Sequence, residues 1–238
     1  MTNSEIRSPF RGRGFITAAI IIAVIVIAAI VVLVGSIARG GNAPAATPTT
    51  TPTAVPTTST ADRSICGLTK FDTTNTLTTA PATTWALVGT VAAPTDPKGT
   101  GPGTTDSVGF RSCFEHTAQG ALFAAANMLA MGSDARLQPL LAEKLTVPGA
   151  GRDAAMRAAA TSTQIRYQIA GYQIRGYNKD QATVDLAVTV STGQTASVPF
   201  LVRWTDGDLN AVLTDSGDPP LASAPLQNLG GYTPWFGA

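Results

Sequence analysis

Residues 165–213 read IRYQIAGYQIRGYNKDQATVDLAVTVSTGQTASVPFLVRWTDGDLNAVL, and this stretch decides the fold. Its apolar residues recur at every second position. Ile165, Tyr167 and Ile169 share one face, with Arg166 and Gln168 opposite. Val184, Leu186, Val188 and Val190 alternate with Thr183, Asp185 and Thr189, and Val198, Phe200, Val202 and Trp204 with Ser197, Pro199 and Arg203. A period of two is the mark of strands with one buried face. Gly171 interrupts the first run before Tyr172 and Ile174 resume it, so a bulge or bend inside one long strand is expected. Asp206-Gly207 signals a tight hairpin into a last strand over 209–213. Pro199 cannot donate to a ladder, which places its strand at an edge or at a bulge.

Upstream the period changes. Thr117 can cap a helix in which Ala118, Ala121, Leu122, Ala125 and Leu129 recur at i, i+3, i+4 spacing. Phe123, Ala126 and Ala130 widen that apolar face, so the helix is expected to be deeply buried, its alanines allowing close approach to a sheet. A second helix fits 134–145, with Asp134 near its start and Pro148 beyond its end, and a third fits 151–160 (GRDAAMRAAA). Helices followed by four antiparallel strands predict an α+β domain, with about three helices gathered on one face of a curved antiparallel sheet. Ahead of the helices, 84–91 (TWALVGTV) reads as one strand. Residues 92–109 carry three prolines and four glycines and read as a long irregular loop.

The N-terminal quarter is of another kind. From Phe15 to Val34 every residue except Thr17 is apolar, and the uncharged run extends over 14–38. That is about the 20 residues a helix needs to cross a ~30 Å hydrocarbon core, with no polar stripe to mark a buried globular helix. A signal peptide cleaved near Ala38 is the alternative, but its apolar core is shorter, about 7–15 residues. Arg7, Arg11 and Arg13 precede the run and only Arg39 follows it closely, so 1–13 is predicted to be a cytoplasmic tail with the C-terminal part outside the cell membrane. The run has no ionisable residue and no G-x-x-x-G pattern, so it reads as a plain anchor. Residues 39–62, rich in threonine, proline and alanine, read as an extended spacer, and 63–238 as the outer domain.

Charge and cysteine content narrow the function classes. Arg7, Arg11, Arg13 and Arg39 take four of the sixteen basic residues, and Glu5 and Asp62 two of the fifteen acidic ones. The outer domain is left with twelve against thirteen, without the basic footprint of a nucleic-acid binder. Cys66 and Cys113 are the only cysteines, and in an extracytoplasmic domain they form a disulfide candidate; two free buried thiols are the alternative. The bridge would close a loop of nearly fifty residues, worth about 4 kcal/mol on the chain-entropy model. His116 is the only histidine and no C-x-x-C is present, so a zinc site is not expected.

Catalytic patterns are sparse. There is no G-x-S-x-G elbow, and His116, just ahead of a helix, reads as packing or capping with Glu115. Asp185, Arg166 and Arg203 could share a sheet face with Tyr172 near, as a catalytic set or as a solvated strand face with cross-strand charge pairs. The loop 99–103 (GTGPG) lacks the Lys-Ser/Thr of a phosphate loop. Tyr167, Tyr172, Phe200 and Trp204 are candidate lining residues for an interior cavity. Tyr232, Trp235 and Phe236, in a Gly/Pro-rich tail, are candidate partner contacts or a cover for the open end of the domain.

An Ala-rich helix, two shorter helices and a run of bent strands resemble the nuclear-transport-factor-2-like cone. The layout of basic tail, single anchor, spacer and outer cone resembles the bitopic assembly factors of type IV secretion and conjugation systems, the TcpC-type proteins among them. TWALVG (84–89), GTGPG (99–103) and GFRSCFEHTAQGALFAAANMLA (109–130) are similar to segments of membrane-anchored proteins of actinobacterial conjugative elements. The likeness covers the anchor and roughly residues 84–215. It implies a non-enzymatic structural subunit without cofactor, contacting other subunits of an envelope complex and associating with copies of itself. A ligand-binding module using the cone cavity is the second reading, and an enzyme working through Asp185 the third.

Overall fold

Residues Pro56–Ala238 form a unit of their own. A computed structural model describes residues 62–158 and 166–237, all within that unit. The predicted anchor (14–38) and residues 39–61 of the spacer lie outside the described residues. Among the described residues no helix is long and apolar enough to cross a membrane.

The described residues are α+β, with three helices against a largely antiparallel sheet. Helix α1 (Ala118–Met131) starts where Thr117, extended at φ −139°, accepts the Gly120 N–H on its hydroxyl at 2.9 Å. Only Gln119 and Leu129 of its fourteen residues are not buried. Helix α2 (Gln138–Lys144) begins four residues later than expected. Pro139 explains the delay, since it fits the first turn of a helix and would break its interior. Asp134 instead caps the preceding turn, its Oδ1 accepting the Arg136 N–H at 2.9 Å. Helix α3 spans Ala150–Ala158.

The large sheet runs from β10 (Thr233–Pro234) through β5 (Tyr167–Tyr177), β6 (Gln181–Val190) and β7 (Thr195–Thr205) to β8 (Asp208–Ala211), with β9 (Ala224–Leu226) also pairing β7. Strand β5 pairs β6, and β6 pairs β7 with Val184 opposite Phe200. The expected bulge at Gly171 is present and a second follows it, register shifting between Ile169 and Gly171 and again between Ile174 and Gly176. Asp206 and Gly207, both at positive φ (55° and 79°), turn β7 into β8 (Asp208–Ala211) as a two-residue hairpin loop requires. Strand β7 is not at an edge, contrary to the expectation from Pro199. It pairs β6 on one side and, on the other, β9 (Ala224–Leu226) through Thr195–Ser197 and β8 through Val202–Thr205. Pro199 falls in the gap between those two partners, where its missing donor is not needed.

Two expectations for 84–109 are corrected. Residues 84–91 form not one strand but the start of a hairpin, β1 (Thr84–Val88) pairing β2 (Val91–Thr95) around Gly89. The supposed loop holds β2 and then β3 (Thr104–Thr105), which pairs β4 (Arg111–Ser112). Cys66 and Cys113 are joined, Cα atoms 6.1 Å apart, and tie the start of the domain to the end of β4. The bridge closes 47 residues of separation. Replacing both cysteines by alanine should therefore lower unfolding free energy by about 2–5 kcal/mol. Urea denaturation of the full chain checks this, and an unchanged midpoint would contradict it.

Candidate functional site

Both bulges of β5 serve the C-terminal tail. Asp185 projects from β6 on the face away from the helices, yet it has no exposed surface. Its oxygens accept the Ser197 hydroxyl at 2.8 and 2.9 Å and the Tyr232 hydroxyl at 2.7 Å, and it is ion-paired with Arg175. Arg175 is the extra residue of the second bulge, and bulges re-aim side chains. The hydrogen bond with Tyr232, and then the charge of Asp185, hold the Arg175 guanidinium above its ordinary pKa against the opposing effect of burial.

From Tyr232 the tail crosses the edge of β5 as β10 (Thr233–Pro234), opposite Tyr172 and Gly171. A Cβ on Gly171 would meet the Thr233 carbonyl oxygen at 2.8 Å, so only glycine admits the crossing. Ala170, the extra residue of the first bulge, accepts the Trp235 backbone N–H at 3.3 Å. The Trp235 indole, 5% exposed, enters a slot among Trp85, Tyr172 and Phe123, with ring centroids 4.6, 5.6 and 5.8 Å away. Its N–H reaches the Pro81 carbonyl at 3.0 Å. Of the three candidate contact residues, Tyr232 and Trp235 are engaged within the chain's own fold, and Phe236, 61% exposed, is presented to solvent.

The four candidate lining aromatics all face the helices, but they pack into the core. Tyr167 donates its hydroxyl to the Leu129 carbonyl at 2.5 Å, and Tyr172 donates to that of Thr79 at 3.0 Å. Burial raises the Tyr167 pKa to about 12. Trp204 stacks on His116 at 3.9 Å between centroids, with Phe71 near the imidazole at 4.7 Å. Phe200 lines an apolar cavity of about 470 Å³ shared with Met128, Leu141, Ala155 and Leu213, and Tyr167 borders a smaller one of about 180 Å³ with Gln168 and Thr189. Arg166 and Arg203, both exposed, are not brought to Asp185. Arg203 pairs with Gln181 four positions along β6, and Arg166 precedes β5 beyond the other end of the ladder.

Asp208 carried no signal in the sequence beyond its place after the hairpin turn. It is 7% exposed, and its oxygens accept the N–H groups of Cys113 (2.6 Å), Phe114 (2.8 Å) and Leu209 (2.8 Å). The carboxylate thus holds the backbone where Cys113 adopts a φ of 68°. Burial pushes its pKa up to about 6, the three N–H groups opposing. The 99–103 loop packs beside this point, Gly103 donating to the Cys113 carbonyl at 2.7 Å. His116 Nε2 lies 2.5 Å from the Lys179 carbonyl oxygen, and burial lowers its pKa. Among the described residues no three His, Cys, Asp or Glu side chains are grouped to hold a metal ion.

A family model described as a domain of unknown function, DUF8175, matches residues 45–234. The chain belongs to that family. No curated protein matches. Among solved structures, a candidate aromatic ring hydroxylase from Novosphingobium aromaticivorans is similar at 18% identity, over 48% of this chain and 92% of its own. The TM-score is 0.24, and the likeness carries no argument about what this member of the DUF8175 family does.

Two predictions follow from this geometry. Trp235→Ala should destabilise the domain by about 3–5 kcal/mol and Tyr232→Phe by about 1–2 kcal/mol, since one empties an aromatic slot and the other removes one donor from a buried carboxylate. Urea midpoints of the two variants check the order, which equal effects would contradict. The second concerns pH. Between the ordinary value of 3.8 and about 6, the folded chain keeps an Asp208 proton that the unfolded chain has released. Its contribution to stability is complete below that window and is lost as pH rises through about 6, a change on the order of 3 kcal/mol. The stability difference between wild type and Asp208→Asn should shift against wild type from pH 4 to pH 7. A pH-independent difference would contradict the assignment.

Proposed function

We propose that this chain is a membrane-anchored, non-enzymatic assembly subunit of a cell-envelope conjugation or secretion complex. Residues 14–38 anchor it, and the outer domain meets its partners, copies of itself among them, through its surface. The observation that carries this reading is the filled interior. Tyr167, Tyr172 and Trp204 are committed to packing and hydrogen bonding, and Trp235 plugs the slot beside them. What remains for recognition is the outside, where Leu87, Val108, Met156 and Phe236 are exposed. The order of three helices and then bent strands supports a nuclear-transport-factor-2-like cone. The Cys66–Cys113 bridge supports an oxidising, extracytoplasmic setting.

One observation favours a second reading, a ligand-binding module. The apolar cavity beside Phe200, about 470 Å³, falls within the range of small-molecule sites. Crosslinking in intact cells followed by recovery of the tagged full chain separates the two, with Phe236→Ser as the comparison because that exposed position can change without disturbing the core. The assembly reading expects other membrane-complex subunits in the wild-type sample and fewer with Phe236→Ser. Recovery of a small apolar molecule and no protein partner would replace it with the second.

A further inference from the structure

We propose that Arg111 is the floor of a binding site for a carboxylate carried on a short apolar group. Arg111 lies on β4 and is 8% exposed. A guanidinium has five N–H donors. The side-chain hydrogen bond described for this one runs from Nη1 to Asn127 Oδ1 at 3.1 Å. Asn127 is itself fully buried, its Nδ2 donating to the carbonyls of Pro94 and Phe123, so its orientation is fixed. Among the described residues no carboxylate is ion-paired with Arg111. Burial without a counter-charge pushes its pKa below the ordinary guanidinium value. A buried cation is normally paired, and an unpaired one marks a place where an anion is missing or comes and goes.

The surroundings indicate which anion. Arg111 lines a cavity of about 170 Å³ together with Thr105, Leu87, Val108, Asp134 and Arg136. Asp134 does not serve as the counter-ion: Arg136 takes both its oxygens, at 3.2 and 2.7 Å. That pair cancels, and Arg111 leaves the cavity with one positive charge. Leu87 and Val108, 76% and 52% exposed, give it an apolar rim. A planar carboxylate fits the guanidinium fork and the single charge. Phosphate, with more charge, would meet the Asp134 carboxylate. The carboxylate belongs either to a free branched-chain acid or to an acidic side chain of a partner protein.

The test uses the ¹⁵N-labelled full chain in detergent micelles, following the Arg111 Nε–H resonance and the thermal midpoint. The probes are isovalerate, inorganic phosphate and the peptide acetyl-Leu-Glu-Leu-amide. Arg111→Met, which replaces the cation by an apolar chain of similar length, is the blocking variant. Val108→Asp places a fixed carboxylate at an exposed point of the rim and serves if Arg111→Met does not fold. Isovalerate and the peptide should each shift the resonance saturably and raise the thermal midpoint, and phosphate should bind about tenfold more weakly or not at all; Val108→Asp should abolish the resonance shift, and both variants should abolish the rise in midpoint. Tighter binding of the peptide assigns the source to a protein side chain, and tighter binding of isovalerate to a free acid. A non-saturable response, equal binding of phosphate, or stabilisation that persists in the variants overturns the proposal. The outcome is independent of the assembly reading, which the recovery of protein partners tests separately.

Discussion

Helix α1 has almost no water-facing side, and that constraint organises the rest of the described domain. An amphipathic helix needs one covering layer, but a helix buried round its circumference needs cover in every direction. Strands β5–β8 lie against one side of it, the β1–β2 hairpin and β4 against others, and α2 beside them. Its alanines bring these layers close, and Leu122, Phe123, Met128 and Met131 fill the space between. Covering layers drawn from both ends of the chain must then be fastened.

Three fastenings do this, each by different chemistry. The Cys66–Cys113 bridge joins the first turn of the domain to the segment entering α1. Asp208, just past the β7–β8 turn, grips the same segment through backbone N–H groups, so the covalent and ionic ties meet at one point. The tail closes the opposite edge with Tyr232 on Asp185 and Trp235 in its aromatic slot. Asp185 is a buried charge with its partners around it, and a buried pair of this kind is costly to break from one side.

Much of this order was legible in the sequence. The alternation over 165–213 gave the four main strands, the bulge at Gly171 and the Asp206-Gly207 turn, and the alanine spacing gave α1 with its cap at Thr117. The failures have a common cause, which is that the partner lay far away in the chain. TWALVGTV holds a turn at Gly89 that an apolar run hides, because periodicity does not register a two-residue reversal. Pro199 is harmless in a central strand because its neighbours on that side happen to leave a gap. Nothing local marks Arg175, and only the second bulge aims it at Asp185. Asp208 and Arg111 carry no local signal; their burial comes from what folds over them.

The proposal that the domain acts through its surface rests on the tail closing the interior around α1. Native-state hydrogen exchange on the full chain tests it most directly. The account predicts that the amides of α1 and of residues 233–235 exchange only with global unfolding, at the same free energy as the centre of β6. Exchange of the tail and α1 together at a clearly lower free energy would contradict it. It would mean that the tail opens on its own and that the interior is reachable after all.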